Sequence, residues 1–225
     1  MIPIIGFVGE KKSGKTSVLQ KVINHLSEKG YKIGVIKHTA HGFRLDYPET
    51  DSFKLYEAGA RKIAVSGHSQ LGIYGEAEPE LGAEQIRDLF LSEMDLILVE
   101  GYRNASIPKV LVALSQEIPE WAKGLGGLIA IISKDKPDFE IKHFLPEQVQ
   151  ELAKLVEEYI KRHRGKREVK IYLDGRELKI KSFIKDFFLN TLSGMIGSLK
   201  QTQGAKRVQI TIYIPDGIVE KTTED

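Results

Sequence analysis

The chain has 225 residues, 41% hydrophobic and 28% charged, which is enough apolar material for a packed core and rules out a disordered or low-complexity chain. Its 33 Lys+Arg against 31 Asp+Glu leave a net charge of only +2, so charge gives no case for nucleic acid. Cysteine is absent, which excludes disulfide frameworks, Cys-ligated zinc, iron–sulfur clusters and thiol nucleophiles.

The length predicts one large domain, or a medium one plus a small one. Residues 2–8 form a short apolar run ending in Gly9, the pattern of a buried parallel strand. Residues 16–29 come next as a helix, with Val18, Leu19, Val22, Ile23 and Leu26 on one face and Gly30 as its stop. Residues 31–36 read as a second strand and 37–51 as a polar loop. Asp51 reads as the N-cap of a short helix through Ala60. Strands are expected at 63–65, 71–74, 95–99, 109–114 and 127–132, and helices at 83–93 and 146–163. Alternating strands and helices predict an α/β domain: a mostly parallel sheet with helices on both faces. The most apolar stretch, residues 124–132, is far too short for a bilayer span of about 20 residues. The N-terminus lacks a basic n-region, so no signal peptide is expected. The expectation is a soluble, cytoplasmic protein with no membrane and no nucleic-acid partner.

The pattern changes after the last of these helices. The basic stretch KRHRGKR at 161–167 is the best domain boundary, giving a first domain at 1–164 and a small module at 166–225. In the module, Val169, Ile171 and Leu173 alternate with polar residues, Asp174-Gly175 is a two-residue turn, and Leu178 and Ile180 resume the alternation. A helix over 183–199 and a last alternating run through Val208, Ile210, Ile212 and Ile214 complete a small α+β module of β-β-α-β order. Phe183, Ile184, Phe187, Phe188, Met195 and Leu199 are expected to cover its sheet. Gly194 and Gly197, costly inside a helix, are expected where another backbone approaches. The tail 217–225 reads as frayed. The module reads either as a stabilising appendage or as a docking surface for a partner or cofactor.

Gly9-Glu10-Lys11-Lys12-Ser13-Gly14-Lys15-Thr16 matches G-x-x-x-x-G-K-[ST] between a buried strand and a long helix. Glycines let successive backbone N–H groups point at a phosphate, Lys15 reaches the β/γ-phosphates, Thr16 binds Mg²⁺, and the helix adds its positive N-terminus. Gly9, Lys12, Ser13, Gly14, Lys15, Thr16 and Ser17 are the candidate nucleotide-binding residues. Lys11 and Lys12 either add positive charge at the phosphates or are solvated lysines on a tight turn. The second signal is Asp95-Leu96-Ile97-Leu98-Val99-Glu100-Gly101, an acid on a hydrophobic strand, as needed to hold a magnesium-bound water. Either acid can serve. Glu100 is favoured because it lies at the carboxyl end, where ligands of open α/β sheets bind. The third signal is the loop with Lys37, His38, Thr39, His41, Asp46 and Asp51. Asp46 is a candidate for a magnesium-facing loop, while two histidines and one carboxylate are more often polar loop residues than a metal site. His25, His68, His143 and His163 belong to no motif and are expected at the surface.

These residues resemble the molybdopterin-guanine dinucleotide biosynthesis adaptor family, MobB. The resemblance rests on the phosphate loop, on Lys37-His38-Thr39, on Asp46, Pro48, Asp51-Ser52 and Ala58-Gly59-Ala60, and on Leu98-Val99-Glu100-Gly101-Tyr102-Arg103, and it covers residues 1–164. It implies a P-loop GTPase-like domain, typically a homodimer, that binds GTP and Mg²⁺ and hydrolyses GTP slowly. It implies partnership with the guanylyltransferase that joins GMP to molybdopterin, with molybdopterin itself a possible ligand. Glu100 takes the Walker B place and Asp46 the acid of the switch-like loop, the two candidate catalytic residues; Thr16 and Glu100 would serve the metal. The chain departs from the pattern at Ala40 and Gly42. It also contains no Asn-Lys-x-Asp motif for guanine, the only strand-end candidate being Ser133-Lys134-Asp135. A small-molecule kinase is the rival reading. It would need an Arg-bearing lid, for which Arg44, Arg61 and Arg103 are the nearby candidates. A metallochaperone GTPase would need a His- or Cys-rich tract that this chain lacks.

Overall fold

The computed structural model describes every residue except 1, 40, 44–45, 116, 164–167, 175, 201, 203, 206, 211 and 213–225. The chain divides into two compact units, Met1–Lys166 and Arg167–Asp225.

In the first unit, β1 (Ile4–Val8), α1 (Lys15–Glu28) and β2 (Ile33–Lys37) open the chain. A short helix, α2 (Asp51–Glu57), precedes two strands, β3 (Lys62–Ser66) and β4 (Leu71–Gly75). Then come α3 (Ala83–Phe90), β5 (Leu96–Glu100) and β6 (Lys109–Ala113). A 3₁₀ turn (Glu120–Ala122), β7 (Leu128–Ser133), β8 (His143–Phe144) and α4 (Val149–His163) complete it. Six strands form one sheet in the order β2-β5-β1-β6-β7-β8, and every pairing in it is parallel. All six carboxyl ends therefore share one edge. The strand order runs outward in both directions from β1, so the crevice beyond its carboxyl end is where a ligand is expected in such a sheet.

Strand side chains alternate between faces, and the core divides accordingly. Ile5, Phe7, Leu96, Leu98, Val110 and Val112 pack with Val18, Val22 and Leu26 of α1 and Leu152, Val156 and Ile160 of α4. On the other face, Ile4, Ile97 and Val99 meet Ala83 of α3, with Ile36 and Ile107 beside them. Val8, Leu111 and Ile131 meet Ala122 there. Each fully buried aliphatic side chain contributes about 1.5–3 kcal/mol, so the α1 stripe fixes the helix, and with it the loop that precedes it.

Several elements differ from the sequence expectation. Thr50, not Asp51, caps α2: its hydroxyl accepts from Phe53 N at 3.1 Å, and Asp51 becomes the first helical residue, where its charge favours the helix dipole. The helix stops at Glu57 because Gly59 turns the chain at φ 111°. Strands β3 and β4 form their own antiparallel pair. Strand β6, in contrast, lies between β1 and β7 with every residue buried, so it cannot offer a free surface. Of the four histidines expected at the surface, His25, His143 and His163 are half-buried and His68 is exposed. His163 stacks on Tyr159 with ring centroids 3.9 Å apart, and His143 shares a 3.1 Å hydrogen bond with Ser133.

In the second unit, β9 (Ile171–Leu173) and β10 (Arg176–Leu178) form an antiparallel hairpin, with Asp174 at φ 47°; Gly175 lies outside the described residues. The last helix, α5 (Ser182–Gly197), carries a half-buried stripe of Ile184, Phe188, Leu192 and Ile196. Phe183, Phe187, Met195 and Leu199, expected to cover the sheet, are exposed, because they lie off that stripe. A Cβ at Gly194 or Gly197 would meet nothing within 4 Å among the described residues, so the expected backbone approach is absent there. Residues 208–210 and 212 are irregular; Ile214 and the tail lie outside the described residues.

Candidate functional site

The loop after β1 folds around its glycines. At Gly9, φ is 155° and a Cβ would stand 2.2 Å from Val112 O and 2.6 Å from Ser13 Oγ, so only glycine fits. At Gly14, φ is 95°, which turns the chain into α1. Lys12 takes φ 65° between them. The curled loop is tied to the end of β6: Leu114 N donates to Ser13 O at 3.0 Å and Ser115 Oγ to Lys12 O at 2.6 Å. Lys15 Nζ curls back to donate to Gly9 O at 3.0 Å and Glu10 O at 2.7 Å. Ser13 is 1% exposed, yet its Oγ has no partner among the described residues. A buried hydroxyl without a partner, inside a cradle that excludes a Cβ, fits a loop built to surround an oxyanion. Ser17, next along α1, is exposed.

Glu100 is the last residue of β5 and pairs with Phe7 of β1 on one side and Lys37 of β2 on the other. That register carries its side chain to the loop. Thr16 Oγ1 donates to Glu100 Oε2 at 3.1 Å across 84 residues of sequence. Lys37 Nζ lies 4.0 Å from the other carboxylate oxygen. A hydroxyl and a carboxylate side by side form the hard oxygen donor set suited to Mg²⁺. Asp95 lies at the opposite end of β5, where it accepts from Lys32 N at 2.9 Å.

The structure joins Asp46 to other groups. Its carboxylate accepts from Tyr47 N and Thr50 Oγ1, both at 2.9 Å, and from the Tyr74 hydroxyl of β4. The Tyr74 hydroxyl and then Ser52 hold its carboxyl down to about 2, and burial together with Asp46 pushes the Tyr74 phenol up. Asp46 makes no hydrogen bond or ion pair to residues 9–16 among the described residues. It pins the loop after β2 to the hairpin.

Other residues at this edge join the site through contacts that the sequence does not show. His38 N donates to Glu100 O at 2.9 Å, its ring lies 4.2 Å from that of Tyr102, and its Nε2 is 3.0 Å from Glu80 Oε1. Tyr102 donates to Leu81 O at 2.9 Å, and burial raises its phenol. These residues, with Gly82 and residues 103–105, line a cavity of about 290 Å³. Trp121 Nε1 donates to Glu10 Oε1 of the loop at 2.8 Å, and the Arg103 guanidinium lies over its ring at 4.7 Å. Only partner geometry reveals Trp121, since 111 residues separate it from Glu10. Lys109, 2% exposed, spends its ammonium on the carbonyls of Ala105, Ile107 and Gly126, and burial lowers its pKa. It braces the loop beyond Glu100. Among the described residues no cluster of three or more His, Asp or Glu could hold a metal, and no helix is long and apolar enough to cross a membrane.

Comparison with known proteins extends the picture. The profile of the family described as molybdopterin guanine dinucleotide synthesis protein B, MobB, matches residues 4–134. The molybdopterin-guanine dinucleotide biosynthesis adapter protein of Escherichia coli is 36% identical over 115 residues, half of this chain and 66% of that one. A relative from Methanocaldococcus jannaschii is 22% identical and covers 94% of this chain and 97% of its own, a span that reaches into both units. The crystal structure of Bacillus subtilis MobB shares the fold with a TM-score of 0.57 at 29% identity, over 69% of this chain and 96% of that one. Both the matched residues, which include the curled loop and Glu100, and the parallel sheet behind them place this chain in the MobB family.

Proposed function

We propose that this protein is a cytoplasmic, GTP-binding adapter in the synthesis of molybdopterin guanine dinucleotide, with slow GTP hydrolysis. The observation that carries the reading is the Thr16–Glu100 contact of 3.1 Å at the mouth of the curled loop. It brings the two oxygen groups that Mg²⁺ chemistry needs to the phosphate cradle. In this reading the loop N–H groups and Lys15 hold the β/γ-phosphates. Thr16 and Glu100 hold Mg²⁺ directly or through its water, and the metal would neutralise charge that develops on the phosphates. Lys12, Ser13 and Ser17 complete the cradle. Asp46 serves by fixing the loop after β2. Guanine preference is carried by the family alone. The partner is the guanylyltransferase that joins GMP to molybdopterin.

We also propose a homodimer formed through β3 and β4. Leu71 and Ile73 share one face of this two-stranded pair and are 70% and 49% exposed, and each strand keeps one edge unpaired among the described residues, a surface suited to a second copy of itself. Light scattering at micromolar concentration should give twice 25.3 kDa; a monomer mass would remove this part of the proposal. The nucleotide reading is tested by titrating GTP and ATP with and without Mg²⁺. Tighter binding of GTP with Mg²⁺ is expected. Equal and weak binding of both, indifferent to Mg²⁺, would sink it.

A further inference from the structure

Of the three arginines that a lid could draw on, Arg44, Arg61 and Arg103, the structure describes two. Arg44 lies outside the described residues. Arg61 Nε donates to Glu76 Oε2 at 2.7 Å, which fixes its charge to the hairpin. Arg103 has no carboxylate partner among the described residues, and it stands three positions after Glu100. The chain turns between them through Gly101 at φ 103° and Tyr102 at φ 52°. The turn is over-determined: a Cβ at Gly101 would stand 3.1 Å from His38 Cβ, and Tyr102 is held by the His38 ring and by Leu81 O. A non-glycine residue kept in the left-handed region by surrounding contacts points to a functional constraint on the next side chain along.

That side chain is Arg103, set over the Trp121 ring at 4.7 Å. Trp121 in turn donates to Glu10 Oε1 at 2.8 Å, and Glu10 is the second residue of the phosphate loop. Its backbone carbonyl holds the Lys15 ammonium at 2.7 Å. One aromatic ring therefore touches both the phosphate loop and the only described arginine of the three whose charge is uncommitted. Trp121 is half-buried against the core, whereas Arg103 is exposed, and a solvated cation on a ring is held weakly enough to leave it for an anion. An arginine supplied from within the chain beside a triphosphate stabilises the charge that builds up as the γ-phosphoryl group departs.

On the reading that residues 9–16 bind GTP, we propose that Arg103 is a catalytic residue for its hydrolysis and that Trp121 positions it. The water oxygen forms a bond to the γ-phosphorus while the bond from that phosphorus to the β–γ bridging oxygen breaks. GDP leaves with that oxygen, and the proton of the attacking water passes to the released phosphate. Arg103 donates its N–H groups to the oxygens on which negative charge grows, and no other co-reactant is needed.

The test uses the full chain. Arg103 is exposed, so Arg103→Ala is expected to keep the wild-type melting temperature and to bind GTP and GDP within about threefold of wild type. Its single-turnover hydrolysis should fall about 100-fold or more. The second readout is capture of aluminium fluoride by the Mg²⁺–GDP complex, which mimics the departing phosphoryl group: wild type should capture it and Arg103→Ala should not. Arg103→Lys should lose at least tenfold, because an ammonium cannot fork across two oxygens. Trp121→Phe, which keeps a ring but loses the bond to Glu10, should fall between. A wild-type chain that binds no GTP would overturn the nucleotide reading and this inference with it. A wild-type chain that binds GTP, beside an Arg103→Ala variant that hydrolyses it and captures fluoride as wild type does, would overturn the role of Arg103 alone.

Discussion

Replacing Glu100 by Gln separates the structural work of this side chain from its charge. The amide keeps the shape and leaves one oxygen to accept from Thr16 Oγ1, now 3.1 Å from Glu100 Oε2. The resting protein loses the charge assistance of that bond, about 1 kcal/mol at most. The ion pair with Lys37 is also lost; at 4.0 Å, with Lys37 67% exposed, it contributes about 0–1 kcal/mol. The melting temperature should therefore drop by no more than about 4–8 °C. The nucleotide-bound protein should lose far more, because an amide is a poor partner for Mg²⁺ or its water. Hydrolysis is expected to slow about 100-fold, equivalent to about 2.7 kcal/mol of transition-state stabilisation, while GTP affinity falls less than tenfold. Single-turnover hydrolysis and a binding titration on the same variant measure both. Unchanged turnover would refute the reasoning and move the role to another acid, Asp46 being the other candidate from the sequence. Asp95 is excluded by its position at the amino end of β5.

Glu157 of α4 gives a pH-dependent prediction. Its carboxylate meets Lys161 Nζ at 2.7 Å and Lys29, just past the end of α1, and these two lysines, Lys161 first, hold its pKa down to about 2. The stabilisation is therefore present above the ordinary carboxylate pKa and is lost as pH falls towards 2. The lysines are 62% and 40% exposed, so Glu157→Gln should cost on the order of 1 kcal/mol at pH 7, with the gap closing near pH 2–3; a gap of equal size at both ends of that range would count against it. A chain ending at His163 should bind GTP with nearly unchanged affinity, since the curled loop and Glu100 both lie in the first unit. Loss of binding by a truncated chain that remains folded by circular dichroism would show that residues 164–225 belong to the site.

Spacing made the centre of the site legible. The residues of the loop are contiguous, and Glu100 ends a strand apolar enough to be recognised as buried, so local pattern alone set both at the carboxyl edge. The partners of those residues were not legible. Trp121 meets Glu10 because the 3₁₀ turn packs Ala122 against Val8 and Leu111, and no periodicity encodes that approach. Asp46 read as a magnesium-facing acid because it sits in a polar loop after a strand; its bond to Tyr74 depends on the β3–β4 hairpin folding back, a tertiary event. The place in the sheet of the strand expected at 109–114 was not legible for a related reason. An apolar run tells that a strand is buried but not which neighbours bury it. Lys109 itself looks like an exposed strand end until its three carbonyl partners are seen. Strand β8, two residues long, is below the length at which alternation can be read at all.

The most direct test of the central claim is the affinity of Lys15→Ala for GTP and Mg²⁺ at physiological salt. Lys15 is half-exposed and, among the described residues, its ammonium bonds only to carbonyls of its own loop, so its removal should leave the fold intact. It takes away the cation that the phosphate loop offers to the β/γ-phosphates. Tight triphosphate binding should disappear while the circular dichroism spectrum and melting temperature stay close to wild type. A variant that binds GTP as tightly as the wild type would contradict the claim that residues 9–16 are where this protein holds a nucleotide.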